Sequence, residues 1–191
     1  MGDRKPRLGE GETVCGADLT IYPRGAVAGL YEKPTQLRDA MTEIYVDADA
    51  CPVKDEILRV AQRHGLMTHL VSDGGIRPRP GPLVHLVVVQ PGPDAADDWI
   101  AEHIQADDIA ITNDIPLADR CLKRRAGAIQ PNGKVFSDAS IGTALATRNL
   151  MADLRERGEV GSGPAPFAKT DRSRFLQALE NAIQARLRAL Q

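Results

Sequence analysis

The 191-residue chain is poor in aromatic side chains, with one Trp, three Tyr and three Phe making 4% of it. Its core must therefore be built from Val, Ile, Leu and Ala. Cysteine is also scarce. Cys15, Cys51 and Cys121 are odd in number and far apart, and no CxxC pair exists. That argues against a disulfide framework and points to a reduced, cytoplasmic compartment. The four histidines, His64, His69, His85 and His103, fall at no zinc-ligand spacing. Charge of one sign is missing too: 24 Lys and Arg stand against 26 Asp and Glu, a net charge of −2. There is no global basic field, so any nucleic-acid binding must come from a local patch. The longest apolar run, Leu83 to Val89, is too short to span a bilayer and is broken by His85. No membrane association is expected. Arg4, Lys5 and Arg7 are followed by no apolar segment, so no secretory signal is expected.

What is present is 42% hydrophobic residues, enough for one domain with a real core. Residues 1–40 mix charges with glycine and proline and show no sustained periodicity, which predicts a disordered tail. Met41 stands just before the first strand and is an expected alternative start. Residues 41–191 read as a single domain. Apolar runs at 44–46, 67–71, 84–89, 108–112 and 128–130 predict strands, with 134–136 as an edge extension. Helical patterns separate them: 52–64, a helix capped by Asp94 in the manner of a capping box with Asp97, 115–126 ended by Gly127, and one from Ser137 or Asp138 to about Arg157. A last helix capped by Asp171 presents Phe175, Leu176, Leu179 and Ile183 on one face, and its outer face offers a contact for a homodimer. Strands alternating with helices imply βαβ units, an α/β class and a mostly parallel sheet.

The carboxylates carry the chemistry. Asp47 and Asp49 end the first strand, Asp97 and Asp98 open the second helix, Asp114 follows the fourth strand, and Asp119 lies one turn into the third helix. In open α/β sheets, ligands bind at the carboxyl ends of strands. Clustered carboxylates repel one another unless a cation or protons neutralise them. An all-oxygen set suits Mg²⁺ or Mn²⁺ rather than zinc. Two such ions can activate a water and stabilise a leaving oxygen in phosphodiester cleavage. Asp97 also reads as a helix-dipole residue and Asp119 as part of a solvated face. Asp47 and Asp114 have no such ready alternative, because an ionisable group ending an apolar strand is costly to bury without a task.

Val46-Asp47-Ala48-Asp49-Ala50-Cys51-Pro52-Val53-Lys54, Asp94-Ala95-Ala96-Asp97-Asp98-Trp99-Ile100, Thr112-Asn113-Asp114-Ile115-Pro116-Leu117-Ala118 and Gly163-Pro164-Ala165-Pro166-Phe167 occur in that order. Together they resemble the bacterial YaiI/YqxD-type family, from about Met41 to the last helix. That family looks like a branch of the PIN-like nuclease superfamily. The resemblance implies a three-layer α/β/α PIN-like fold and an acidic metal site that cleaves nucleic acid, with RNA favoured over DNA. By motif position, Asp47 matches the superfamily's first acid, Asp97 or Asp98 the acid of the middle helix, and Asp114 the acid after Thr-x. Asp119 is the candidate fourth acid at a departing spacing. The implied nuclease uses Asp47, Asp98 and Asp114 as ligands for Mg²⁺ or Mn²⁺, with Asp49 as a further ligand or as the group that positions water.

Smaller expectations attach to other residues. Arg77 and Arg79 in a Pro-stiffened loop, Asn113, and Ser72 at the end of a strand are candidate substrate-binding groups. Cys51 at a helix start reads as a small packed residue more readily than as a reactive thiol. Two rivals remain. Asp47-Ala48-Asp49 also resembles the nucleophile and acid–base pair of a haloacid-dehalogenase-type phosphatase, with Asp47 attacking phosphorus. Against that, Pro52 starts a helix at once and leaves no room for a flap, and no lysine occurs between Lys54 and Lys123. The other rival is a PIN-like module that binds RNA or protein without catalysis.

Overall fold

Alternate residues of a strand point to opposite faces, and the strands here bury both. In a computed structural model, which describes residues 18–21, 42–49, 51–74, 81–159 and 167–189, the chain forms a seven-stranded sheet. The strands are β1 (Asp18–Ile21), β2 (Ile44–Asp47), β3 (Thr68–Ser72), β4 (Val84–Val88), β5 (Ile109–Ile111), β6 (Gly127–Ile129) and β7 (Val135–Phe136). The helices are α1 (Lys54–His64), α2 (Ala95–His103), α3 (Ile115–Lys123), α4 (Asp138–Glu156) and α5 (Lys169–Ala189). Strand order is β1-β4-β3-β2-β5-β6-β7, all parallel except the β6–β7 pair.

The alternation sorts the helices into two layers. Ile44, Val46, Leu70, Ile109, Ile111 and Ile129 face one side, where Ile57 and Val60 of α1 and Phe175, Leu179 and Ile183 of α5 cover them. Tyr45, Val71, Val87, Ala110 and Ala128 face the other, against Trp99 and Ile100 of α2, Leu117 and Cys121 of α3, and Ile141 of α4. The result is the expected three-layer α/β/α sandwich. Such parallel sheets read as near-continuous apolar runs because both faces are covered. No helix among the described residues is long and apolar enough to cross a membrane.

Several local expectations differ from the structure. The segment read as a disordered tail contains β1, which pairs parallel with β4 from Asp18↔His85 to Ile21↔Val88. Leu-Thr-Ile is a β-prone run, and without it β4 would present a bare edge. Asp94 precedes α2 but makes no capping hydrogen bond from its side chain, and its φ of 57° is left-handed. Gly127 does not end α3. Arg125 takes the left-handed turn at φ 63°, and Gly127 is the first residue of β6, paired with Ile109. A Cβ there would lie 2.2 Å from Nη2 of Arg186, whose Nε donates to the Asp107 carbonyl at 2.7 Å, so a larger residue would displace the end of that side chain. Asp171 lies inside the first turn of α5 and accepts from the Ala168 N–H at 2.9 Å. Leu176 is 36% exposed, so only Phe175, Leu179 and Ile183 dock that helix.

Gly133 closes the turn between β6 and β7 at φ 89°, and a Cβ there would sit 2.6 Å from the backbone of Arg174 in α5. Gly133→Ala therefore combines left-handed strain with a collision against a helix backbone that cannot yield. We expect it to lower unfolding stability by about 2–4 kcal/mol, read as a fall in the urea midpoint at unchanged slope.

Candidate functional site

The chain leaves β2 toward β3 and β4, then crosses back through α2 to β5 on the other side of β2. The strand order reverses between β2 and β5, and a crevice outside the carboxyl ends of strands at such a point is where open α/β sheets bind ligands. Asp47 is the last residue of β2. Thr112 and Asp114 follow β5 directly.

Thr112, 1% exposed, ties the two strand ends together. Its hydroxyl donates to Asp47 Oδ2 at 3.1 Å and accepts from the Asp114 N–H at 2.9 Å. Asp114 is the N-cap of α3: its Oδ1 accepts from the Leu117 N–H at 2.7 Å, with Pro116 pre-set in the first turn. Among the described residues its Oδ2 has no hydrogen-bond partner. On the far side of Asp47, Asp49 is fastened over β3, where its carboxylate accepts from the Ser72 hydroxyl and, at 3.1 Å, from the Asp73 N–H. Lys54 pins the backbone between the two acids by donating to the Ala48 carbonyl at 2.6 Å.

The electrostatics separate the carboxylates of α2. Burial, then the negative charges of Asp114, Asp47 and Asp94, push Asp97 up to about 7 from an ordinary 3.8, against the opposing pull of Arg120. Burial also raises Asp47, helped by the charges of Asp49 and Asp114 and opposed by the Thr112 hydrogen bond. Asp47, Asp97 and Asp114 thus share one field. Asp98 is turned outward, 59% exposed, and pairs with Arg120 Nη1 at 2.8 Å. Consecutive residues on a helix are about 100° apart, so only one of the pair can face the crevice. Asp119 accepts from Lys123 Nζ at 2.7 Å, one turn on along the same helix.

The other expected residues divide as well. Asn113 is exposed beside Asp114 and stays open to a ligand. Ser72 is fully buried, so its hydroxyl positions Asp49 and the Gly74 turn rather than meeting a substrate. Arg77, Arg79 and the Gly163–Pro166 motif lie outside the described residues. Cys51 is 5% exposed, and burial pushes its thiol up to about 11, which fits an inert packed residue. Sequence reasoning missed Arg120, the cation that faces α2. It also missed the pin made by Lys54, which was visible only as part of a motif: nothing at the sequence level tied its amino group to the Ala48 carbonyl.

Among the described residues, no three carboxylate, imidazole or thiol groups stand close enough to hold a metal ion as a closed set. The donors around the crevice are carboxylate oxygens whose mutual repulsion a cation would relieve. Mg²⁺ keeps several waters and is commonly bound by one or two carboxylates together with substrate phosphates. The donor set therefore fits a water-rich Mg²⁺ or Mn²⁺ site shared with a phosphate ligand. It does not fit a dry cage.

A family described as "Uncharacterized BCR, YaiI/YqxD family" matches residues 45–185. Among curated proteins, the "UPF0178 protein" of Parvibaculum lavamentivorans is 59% identical over 145 residues, covering 76% of this chain and 95% of its own. The "UPF0178 protein" of Rhodopseudomonas palustris strain TIE-1 is 58% identical over 155 residues, covering 80% of this chain and 98% of its own. "UPF0178 protein Rru_A0086" of Rhodospirillum rubrum is 59% identical over 144 residues, with 75% and 96% covered. No solved structure matches.

Proposed function

The chain belongs to the YaiI/YqxD family, and from that premise we propose that it is a metal-dependent nuclease of PIN-like type that hydrolyses phosphodiester bonds, in RNA rather than DNA. One observation carries the reading. Asp47, Asp97 and Asp114 surround the sheet's switch point, and the charges of Asp47 and Asp114 help hold Asp97 near pH 7. Acids forced together at the carboxyl ends of strands are costly to a fold and mark a functional site.

One or two of these three acids would hold a water-rich Mg²⁺ or Mn²⁺, and Asp49 steadies the approach to Asp47. A bound ion of this kind supplies an activated water and stabilises charge on the leaving oxygen. Thr112 fixes the carboxylate of Asp47 against the β5 turn, so the acids stay aimed at one point. Asn113 lies where a phosphate oxygen would approach. Asp98 keeps Arg120 at the rim, where the guanidinium limits how far the acids' repulsion rises. The resemblance to the PIN-like superfamily supplies the nucleic-acid class.

The test is incubation of the full-length protein with labelled single-stranded RNA in Mn²⁺ or Mg²⁺. Cleavage should need the metal, stop with EDTA, and vanish in Asp47→Asn. No metal-dependent cleavage of RNA or DNA across pH 6–9 would overturn the reading. Turnover of small phosphomonoesters lost in Asp47→Asn, without action on RNA, would assign a phosphatase instead.

A further inference from the structure

α4 is built differently from its neighbours. Of its 19 residues only Ile141 and Ala144 are buried, and its second half projects beyond the core, with Leu150 57% exposed. An amphipathic helix that served only packing would carry its apolar stripe along its whole length. Here the stripe ends after two turns, and a groove of about 720 Å³ runs beside the helix from Ala139 to Arg155. Its lining takes in Asn113 and Ile115, the residues on either side of Asp114, as well as Arg155 near the C-terminal end of α4.

Every charged side chain in the groove lining is a cation: Lys134, Arg148 and Arg155. All three are exposed, and among the described residues none pairs with a carboxylate. That is a local patch in a chain whose net charge is −2. Thr143 and Thr147 add hydroxyls one turn apart, and Ile115 and Met151 form an apolar floor. From Thr143 to Arg155 the helix rises about 18 Å. Cations along a wall with an apolar floor match a single strand, whose phosphates seek charge and whose bases seek a dry surface.

We propose that the α4 groove, with Lys134, Arg148 and Arg155, is the track that carries single-stranded RNA to the switch-point carboxylates. The inference rests on the nuclease reading for the identity of its ligand and adds to it the path of the strand. The groove binds phosphates without reading bases, so affinity is salt-dependent and nearly independent of sequence.

The experiment measures binding of a fluorescein-labelled 12-nucleotide RNA to the full chain by anisotropy in EDTA, across 25–200 mM NaCl. Three phosphate contacts to a single strand give a slope of log K against log salt of about −2. Lys134→Gln, Arg148→Gln and Arg155→Gln combined should weaken binding at least about tenfold at 50 mM salt and flatten that slope, while the thermal melt stays put. Arg59→Gln, on α1 in the opposite helical layer, should keep its binding. Unchanged RNA affinity in the triple variant overturns the track, as does a wild-type chain that binds no RNA. Equal affinity for poly-glutamate would make the face a protein-docking surface and overturns it too. Binding is read without metal, so it can fail while cleavage survives, and cleavage can fail while the track stands.

Discussion

Asp114→Asn should lower metal-dependent phosphodiester cleavage by about a hundredfold or more while leaving the protein folded. The expectation follows from the two jobs of this carboxylate. Oδ1 caps α3 through the Leu117 N–H at 2.7 Å. Asparagine is as good an N-cap as aspartate, so that bond survives the exchange. The negative charge does not survive it, and with it goes a donor for a cation and the second-largest push on Asp97. Asp114→Ala would lose both jobs and about 1 kcal/mol of stability besides. Asp98→Asn is the control. Its carboxylate is exposed and pairs with Arg120, a surface contact worth less than about 1 kcal/mol, so activity should stay within a few-fold of wild type. Cleavage measured at saturating Mn²⁺, beside urea unfolding of each variant, separates the cases. Equal losses in Asp98→Asn and Asp114→Asn would remove Asp114 from the centre of the site.

The parallel sheet was legible from the apolar runs, because burial on both faces leaves a simple pattern, while its two helical layers were expected from the family resemblance. Boundaries were legible where a local group sets them: Ser137 opens α4, where its N–H donates to Ser140 Oγ at 3.0 Å. They were not legible where a distant element decides. Gly127 looks like a helix stop in sequence, yet it is extended because it pairs with Ile109 of β5, eighteen residues earlier. β1 was missed for the same reason, since its pairing with β4 crosses more than sixty residues. At the site, Asp47 and Asp114 could be picked out because apolar strands run straight into them. Sequence favoured Asp98 over Asp97 as a ligand without a physical ground for the choice, since adjacent residues look alike until a helix has a fixed rotation. That rotation is set by Trp99 and Ile100, which bury against the sheet and so turn Asp97 inward. Asp119, one turn along α3, accepts from Lys123 four residues on, a pairing that its spacing in the sequence already allows.

Asp97→Asn should make the metal-free protein more stable above pH 7 while impairing its function. Asp97 is held near 7 in the folded state against 3.8 as its ordinary value. Between those two values the folded chain keeps a proton that the unfolded chain has released. Stability therefore falls as pH rises through about 4 to 7, and the full cost is present above the folded pKa. Neutral asparagine removes that cost. The side chain is only half-buried, so after allowance for solvent screening the gain at pH 8 is about 1–2 kcal/mol. Below pH 4, where aspartate is neutral in both states, the two proteins should unfold alike. Metal reverses the ranking. A cation held in a water-rich site on Asp97 and one of its neighbouring acids would stabilise only the folded wild type, by an amount that grows with free ion over its dissociation constant. Mn²⁺ should therefore raise the wild-type melting temperature at pH 8 and move that of Asp97→Asn much less. Protons compete for the same carboxylate, so the Mn²⁺ concentration giving half the shift should climb as pH drops below about 7. Urea unfolding at pH 4 and pH 8 in EDTA, then thermal melts with added Mn²⁺, complete the measurement. An Asp97→Asn protein no more stable than wild type at pH 8, with an equal Mn²⁺ shift, would show that Asp97 lies outside the shared field and that no ion is held there. The opposite pair of results would make the instability itself the signature of the site: the fold tolerates three crowded acids because a bound cation neutralises them.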